Sequence, residues 1–394
     1  MANPSNEAEK SKVEVKFSSL GLSQPVLKAV AEQQYERPYP IQQQAIPAIL
    51  REKDVLGIAK TGTGKTASFV LPILDLFQRV NVSKDRLVRV LVLVPTRELA
   101  GQVADVFLTF GANLPRRVKT VAVFGGVSIN PQMVALHNAE IVVATPGRLL
   151  DLLASNALKL SDVEILVLDE ADKMLDMGFS EEMDMVFDQL PDKRQTILFS
   201  ATLGDDVQRI NALLLRSPIK IEIADEVAPV ELIKQVAYRV DPARKGPLLR
   251  YLIKKEAMQQ VLVFVSSTRT ADNLVVKLNK NDIRATAIHG QKSQGGRTQT
   301  LADFKAGRLT VMVATDLISR GIDIQQLPNV INFELPRSPT DYVHRIGRTG
   351  RAEAEGQAIS LICPEDEHHF KIIQKKMGKR VDIIDTAEWD LSGY

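Results

Sequence analysis

The chain has 394 residues, enough for two domains of ordinary size. Hydrophobic residues make up 45% and charged residues 25%, the balance of a globular protein; a formal net charge of +2 gives no bulk signature of a nucleic-acid partner, which must be sought in local sites. The single cysteine, Cys363, excludes an intramolecular disulfide and a cysteine-rich zinc site, and the five histidines are scattered except for His368-His369, which reads as a solvated surface pair.

Residues 1–16 form a polar N-terminal segment without the apolar stretch of a signal peptide. No run approaches the ~20 apolar residues of a membrane span, so a cytoplasmic protein is expected. Short β-branched runs then recur at 54–58, 89–94, 119–124, 140–144, 164–168 and 195–199, with a further strand-like run at 219–223. Most are continuous apolar runs, which suits strands buried on both faces of a parallel sheet. A helical pattern follows each, so the reading is βαβ units in an open α/β sheet. Methionines 174, 177, 183 and 185 read as packing residues along this stretch. Residues 224–234 contain Pro229 and read as a linker between a first domain, 17–223, and a second, 235–394. The pattern restarts at 235–240, 261–265, 285–289, 310–314, 329–333 and 357–362, with no sequence repeat between the halves. Residues 241–255 read as a solvated helix face, and Trp389 has no assigned role.

Ligands of open α/β sheets bind beyond the carboxyl ends of the strands. The distinctive residues lie there: 60–66, 95–98, 145–148, 169–172 and 200–202 in the first half, His289-Gly290 and Thr315-Asp316 in the second. Ala59-Lys-Thr-Gly-Thr-Gly-Lys-Thr66 follows a strand and precedes a helix, and matches a P-loop except that Ala59 replaces the first glycine. Its glycines let backbone N–H groups close around phosphate oxygens, Lys65 reaches the outer phosphates, Thr66 is placed for Mg²⁺, and the helix N-terminus adds positive potential. A glycine-rich turn is the plain alternative. The strand 164–168 also delivers Asp169 and Glu170 to its tip. Such acids can merely cap a helix; beside a P-loop they suit a metal ligand and a group that activates water.

An ordered series of motifs completes the picture. Arg37-Pro-Tyr-Pro-Ile-Gln42 lies upstream of the glycine loop, with Phe17 before it. Pro95-Thr-Arg-Glu-Leu-Ala100, Gly125-Gly126, Thr145-Pro-Gly-Arg148, Asp169-Glu-Ala-Asp172 and Ser200-Ala-Thr202 follow. The second half carries Val263-Phe-Val-Ser-Ser267, the span 294–297, Ala314-Thr-Asp316, Arg320-Gly-Ile-Asp323 and His344-Arg-Ile-Gly-Arg-Thr-Gly-Arg351. In this order the series resembles the DEAD-box RNA helicases over nearly the whole chain, and the stretch 289–295 further resembles the bacterial RhlE-type branch. Tyr39, Gln34, Ser266 and the pair Leu317-Ile318 depart from residues the family commonly uses.

The resemblance implies two tandem RecA-like domains, each a mostly parallel sheet flanked by helices, using ATP and Mg²⁺. It implies catalytic roles for Lys65, Asp169, Glu170, Arg348 and Arg351, the two arginines as fingers, with Thr66 and Asp169 on the metal. Nucleotide contacts would come from Phe17, Arg37, Gln42, Thr61, Gly62, Thr63, Gly64, Lys65, Thr66, Gly321, Asp323, Arg348 and Arg351. RNA contacts would come from Pro95, Thr96, Arg97, Gly125, Gly126, Thr145, Pro146, Gly147, Arg148, Ser266, His289, Gly290, Gln294, Arg297, Thr315 and Asp316. Ser200, Ala201, Thr202 and His344 would couple ATP turnover to unwinding.

Physically, a glycine pair admits a phosphate to the backbone, and hydroxyl and guanidinium groups bind phosphates without reading sequence. Aromatic residues are only 5%, which argues against a base-stacking platform. The expected partner is therefore single-stranded RNA backbone with low sequence specificity, bound by a monomer with no membrane contact. The family also brings ribosome-assembly and RNA-decay proteins into view. An ATP-gated RNA clamp and a DNA-translocating helicase are the competing readings. Residues 371–394 hold five Lys/Arg against four Asp/Glu, so no basic anchoring arm is expected.

Overall fold

The structure, a computed structural model, describes residues 15–59, 62–79, 87–223, 233–316, 327–350 and 356–394. Among the residues singled out from sequence, Thr61, Gly321, Asp323 and Arg351 lie outside the described residues, as do most of the linker and of the N-terminal segment. The chain forms two compact units, the first of residues up to 95, 100–124 and 129–224, the second of residues 96–99, 125–128 and 225–394.

The first unit holds β1 (Val55–Ile58), β2 (Val90–Leu93), β3 (Thr120–Val123), β4 (Ile141–Ala144), β5 (Ile165–Leu168), β6 (Gln195–Ser200) and β7 (Ile219–Glu222). They form one sheet of order β3-β4-β2-β5-β6-β1-β7, and every pairing is parallel. A parallel pair cannot be joined by a tight turn, and helices such as Lys65–Arg79, Arg97–Gly111 and Pro146–Ala154 make the crossovers. Strands β1, β2, β4, β5 and β6 are buried along their full length, whereas the edge strands β3 and β7 alternate. Burial on both faces is the physical reason for the unbroken apolar runs in the sequence.

The second unit holds β8 (Ile233–Arg239), β9 (Val261–Val265), β10 (Ala285–Ile288), β11 (Val311–Thr315), β12 (Asn329–Asn332), β13 (Gly356–Ile362) and β14 (Asp382–Asp385). Its order is β10-β11-β9-β12-β13-β8-β14, again parallel throughout. Counted from its own first strand, this is the order of the first sheet. The two halves share a topology without sharing a sequence.

Several expectations are revised. Ile233 and Lys234 belong to β8, not to a linker: they pair with Gly356 and Gln357, and Ile233 is buried. Strand β14 escaped notice because its four residues are all exposed and show no apolar run. Met174 and Met183 are in the core as expected, but Met185 is 57% exposed. The stretch 241–255 is no solvated face: the helix Lys245–Lys255 buries Leu248, Leu249, Leu252 and Ile253. Trp389 packs edge-on to Tyr238 (5.6 Å) and beside Tyr251 (5.5 Å). Of the histidine pair, His368 is exposed, while His369 Nε2 bonds the Pro336 carbonyl at 2.7 Å. Among the described residues no helix is long and apolar enough to cross a membrane.

Candidate functional site

The glycine loop leaves the end of β1 and runs into the helix Lys65–Arg79. Gly62 and Gly64 have φ of +83° and +84°, a conformation that side chains disfavour. At Gly64 there is no room either, since a Cβ would lie 2.5 Å from Gln42 Nε2. Gln42 is fully buried. It donates from Nε2 to the Gly64 carbonyl (3.1 Å), and its Oε1 accepts the Tyr39 N–H (2.9 Å). The residue expected at the adenine edge therefore also ties the helix Pro40–Leu50 to the glycine loop. Phe17 is buried beneath Tyr35 (ring centroids 6.4 Å apart), and Arg37 is exposed. Asp75, on the glycine-loop helix, fixes this upstream segment: it accepts the Ser23 N–H (2.6 Å) and Arg79 Nε (2.7 Å), while Arg79 also donates to the Gly21 carbonyl (2.9 Å). Nothing in the motif series pointed to Asp75.

Lys65 is 6% exposed, and its buried Nζ has no hydrogen-bond partner. Asp169, at the tip of β5, is 2% exposed, and its Oδ1 is likewise buried and unpartnered. Burial, ahead of every other influence, pushes the Asp169 carboxyl up to about 6; Lys65 and Lys173 pull it down, and Glu170 pushes it further up. Glu170 sits in the left-handed region, with φ 57° and ψ 49°, at the start of the helix Ala171–Asp176. Such a conformation costs a non-glycine residue on the order of 1–3 kcal/mol and concentrates at functional sites. Its Oε2 lies 2.7 Å from Lys173 Nζ, close enough for an ion pair but not aligned for a hydrogen bond. Lys173 is a neighbour that the motif series did not reveal.

Unpaired buried charges of both signs are costly unless something completes them. Triphosphate oxygens beside Lys65 and a hard cation beside Asp169 would do so, with Thr66, half-buried, one residue on from Lys65. The residues present fit a magnesium–nucleotide complex. Asp172, one residue beyond Ala171, connects this site to the end of β6: its Oδ2 accepts the Ala201 N–H (3.1 Å), the Thr202 N–H (3.0 Å) and Thr202 Oγ1 (3.1 Å). Ser200 Oγ donates to the Thr202 carbonyl at 2.7 Å. The tetrapeptide thus does two things, with Asp169 and Glu170 facing one way chemically and Asp172 holding the next loop.

Other expected residues gather on the carboxyl-end loops of the first sheet. Thr96 Oγ1 accepts the Leu99 N–H (3.3 Å) at the start of the helix Arg97–Gly111. Gly126 has φ +76°, and an added Cβ would fall on the Arg97 guanidinium. Gln132 frames the same turn by accepting the Phe124 N–H (2.8 Å) and donating to its carbonyl (3.1 Å). Thr145 and Arg148 are buried at the start of the helix Pro146–Ala154, where Arg148 Nε meets Asp151 Oδ2 at 3.3 Å.

In the second unit the expected residues are placed unevenly. Ser266 and Gly290 are exposed at strand ends. His289 is 1% exposed, its Nε2 3.1 Å from Asp272 Oδ1, which also meets Lys292 Nζ at 2.8 Å. Arg297 is 5% exposed and donates to Gln294 Oε1. Arg348 is buried, and His344 partly so. The Asp316 carboxylate is gripped by Arg345, Nε to Oδ1 at 2.6 Å and a terminal nitrogen to Oδ2 at 2.8 Å. Arg345 also donates to Asn332 Oδ1 (3.0 Å) and the Glu334 carbonyl (2.7 Å) and lies over Phe264. It sits inside the motif 344–351 and was passed over as an interior residue of it.

A family model described as DEAD/DEAH box helicase matches residues 39–210, and one described as helicase conserved C-terminal domain matches 244–353. The ATP-dependent RNA helicase CshA of Listeria monocytogenes is 39% identical over 376 residues, 95% of this chain and 71% of the relative. The chain belongs to the DEAD-box family of ATP-dependent RNA helicases. The DEAD-box helicase RhpA of Helicobacter pylori is 38% identical over 94% of the chain and 74% of its own length. Among solved structures, S. cerevisiae Dbp5 bound to RNA and ADP BeF3 aligns with a TM-score of 0.83 at 31% identity, over 95% of this chain and 97% of that one. DEAD-box helicases hydrolyse ATP, and the buried unpartnered atoms of Lys65 and Asp169 beside the glycine loop fit a nucleotide. The two parallel sheets are the tandem RecA-like domains of the family.

Proposed function

We propose that this DEAD-box protein couples RNA-stimulated ATP hydrolysis to closure of its two domains, 17–223 and 233–394, and so locally and non-processively unwinds short RNA duplexes or remodels RNA–protein complexes. The observation that carries the proposal is the buried, unpartnered pair Lys65 Nζ and Asp169 Oδ1 beside a loop whose Gly62 and Gly64 adopt positive φ. Lys65 binds the outer phosphates, and Glu170 orients the attacking water. Thr66 and Asp169 would hold Mg²⁺, which would supply positive charge against the phosphates. Gln42, Arg37 and Phe17 select adenine. Arg348 and Arg351 supply finger charge from the second domain, and the remaining RNA-facing residues bind phosphates and 2′-hydroxyls. Ser200–Thr202 and His344 carry the coupling. Ligands that favour the closed state must bind it more tightly, so ATP and RNA bind cooperatively.

The working unit is a cytoplasmic monomer with little RNA sequence preference, and ribosome-assembly or RNA-decay proteins are its partner class. The RhlE-type branch has only the stretch 289–295 behind it, whereas the relatives above are named CshA and RhpA. The test is strand release from RNA duplexes of increasing length with ATP. Release that falls steeply with length supports the reading. Release independent of length would point to processive translocation, and ATP-dependent binding without release would make the protein a clamp.

A further inference from the structure

The near-neutral charge of residues 371–394 conceals a segregation. All five cations lie at 371, 375, 376, 379 and 380, and no Asp or Glu occurs from 368 to 381. The helix Glu367–Met377 buries Phe370 and Ile373 and turns His368, Lys371, Lys375 and Lys376 to solvent on the opposite face. Its one acid, Glu367, is consumed by Arg239 at 2.8 Å. Lys371, Lys375, Lys376 and Arg380 have no ion-pair partner among the described residues. The helix begins at the carboxyl rim of the second sheet, where His369 is bonded to the loop after β12 at Pro336. The next residue in that loop, Arg337, is exposed and also without an ion-pair partner among the described residues. From Arg337 the exposed cations continue down a helix about 16 Å long at 1.5 Å per residue. Four-residue spacing keeps Lys371 and Lys375 in line.

We propose that this face is a second RNA-backbone surface, taking the phosphates of RNA that extends beyond the segment bound at the sheet-end loops. The inference rests on the reading of the protein as an RNA helicase. A row of unpaired, solvated ammonium groups without interleaved acids or aromatic side chains suits polyphosphate backbone: it supplies affinity and salt dependence and no base readout. It revises the expectation that residues 371–394 provide no basic anchor. RNA of sufficient reach gains an anchor that a short oligonucleotide does not.

The experiment uses the full chain with Lys371→Glu, Lys375→Glu and Lys376→Glu combined, and a Gln-substituted counterpart in case charge reversal disturbs folding. A matched control reverses Lys53, Lys159 and Lys193, which are exposed before β1, β5 and β6 at the opposite end of the first sheet. RNA-stimulated ATPase is measured against RNA concentration for a short oligonucleotide and for the same oligonucleotide extended by further single-stranded nucleotides, across a salt series. For the extended RNA, losing three single-strand phosphate contacts should flatten the log–log salt slope by about 2, roughly a 16-fold loss of affinity difference across a fourfold salt range. The short RNA, the maximal rate and the control should be unchanged. Equal slopes for wild type and both variants on the extended RNA would overturn the surface, as would an equal loss in the control. A wild type that RNA does not stimulate would instead refute the helicase reading beneath it.

Discussion

The two domains have the same strand order, and the polar groups after their fifth strands, β5 and β12, are arranged differently. After β5, the first domain leaves Asp169 with a buried unpartnered oxygen, and the helix after β1 starts on Lys65 with a buried unpartnered ammonium. At the corresponding place in the second domain, after β12, Glu334 accepts the Ser266 N–H (2.5 Å) through its side chain and Arg345 through its carbonyl, while Arg345 also closes on Asp316 and Asn332. The strand that corresponds to β1 is β8, and it leads into Asp241 and Pro242 without a glycine loop. The same topology therefore leaves groups open after β5 and closes them on each other after β12, although His289 Nδ1 and Arg297 Nε elsewhere in the second domain are also buried and unpartnered. Fold sets where a site can be; local polar satisfaction decides whether one is there.

The contrast is sharpest when each kind of group is removed. Lys65→Met should abolish ATP turnover, by at least about a hundredfold on the scale of losing one positioned charge in a buried site. Its melting midpoint should hold or rise, because a buried unpartnered charge is taken away. Glu170→Gln should slow hydrolysis by roughly 10²–10⁴ while nucleotide binding, followed with a fluorescent ATP analogue, stays near wild type. A large drop in melting temperature for Lys65→Met would mean the lysine is structural and the comparison false.

Arg345→Ala should do the reverse. It removes the guanidinium from Asp316 and leaves buried Asn332 Oδ1 and the Glu334 carbonyl short of a donor, so a loss of about 3 kcal/mol of stability is expected in chemical denaturation of the full chain. Nucleotide affinity at the first domain should be little altered. Asp172→Asn is intermediate. It weakens three bonds to residues 201–202, costing about 1.5–3 kcal/mol as bonds to a charged acceptor, and duplex unwinding should fall further than ATPase. Equal losses in the two assays would remove Asp172 from coupling. The smallest effect belongs to Gln42→Ala: about a tenfold narrowing of the preference for ATP over GTP, together with a local loosening of the glycine loop, read by competition binding.

Much of this was legible in the sequence, for identifiable reasons. Strands buried on both faces leave continuous apolar runs, so β1, β2, β4, β5 and β6 announce themselves; β14, paired to β8 at the sheet edge with every residue exposed, does not. The glycine loop and the 169–172 tetrapeptide are legible because their chemistry is packed into consecutive residues. Contacts made across the fold are not. Nothing adjacent in sequence tells that Asp172 holds residues 201–202, that Gln132 clamps Phe124, that Asp75 reaches Ser23, or that Arg345 gathers Asp316, Asn332 and Glu334. Burial is equally invisible: His289 reads as a contact residue and is enclosed against Asp272. A charge total hides geometry in the same way, as residues 371–390 show.

We read the open groups of the first domain as an ATP site answerable to RNA. This reading is tested most directly by steady-state ATP hydrolysis of the full chain with no nucleic acid, with single-stranded RNA and with single-stranded DNA of the same sequence, in wild type and Lys65→Met. The account predicts a low rate alone, a marked rise with RNA, little or none with DNA, and no turnover in the variant under any condition. Hydrolysis that DNA stimulates as well as RNA, or that survives the loss of Lys65, would contradict it.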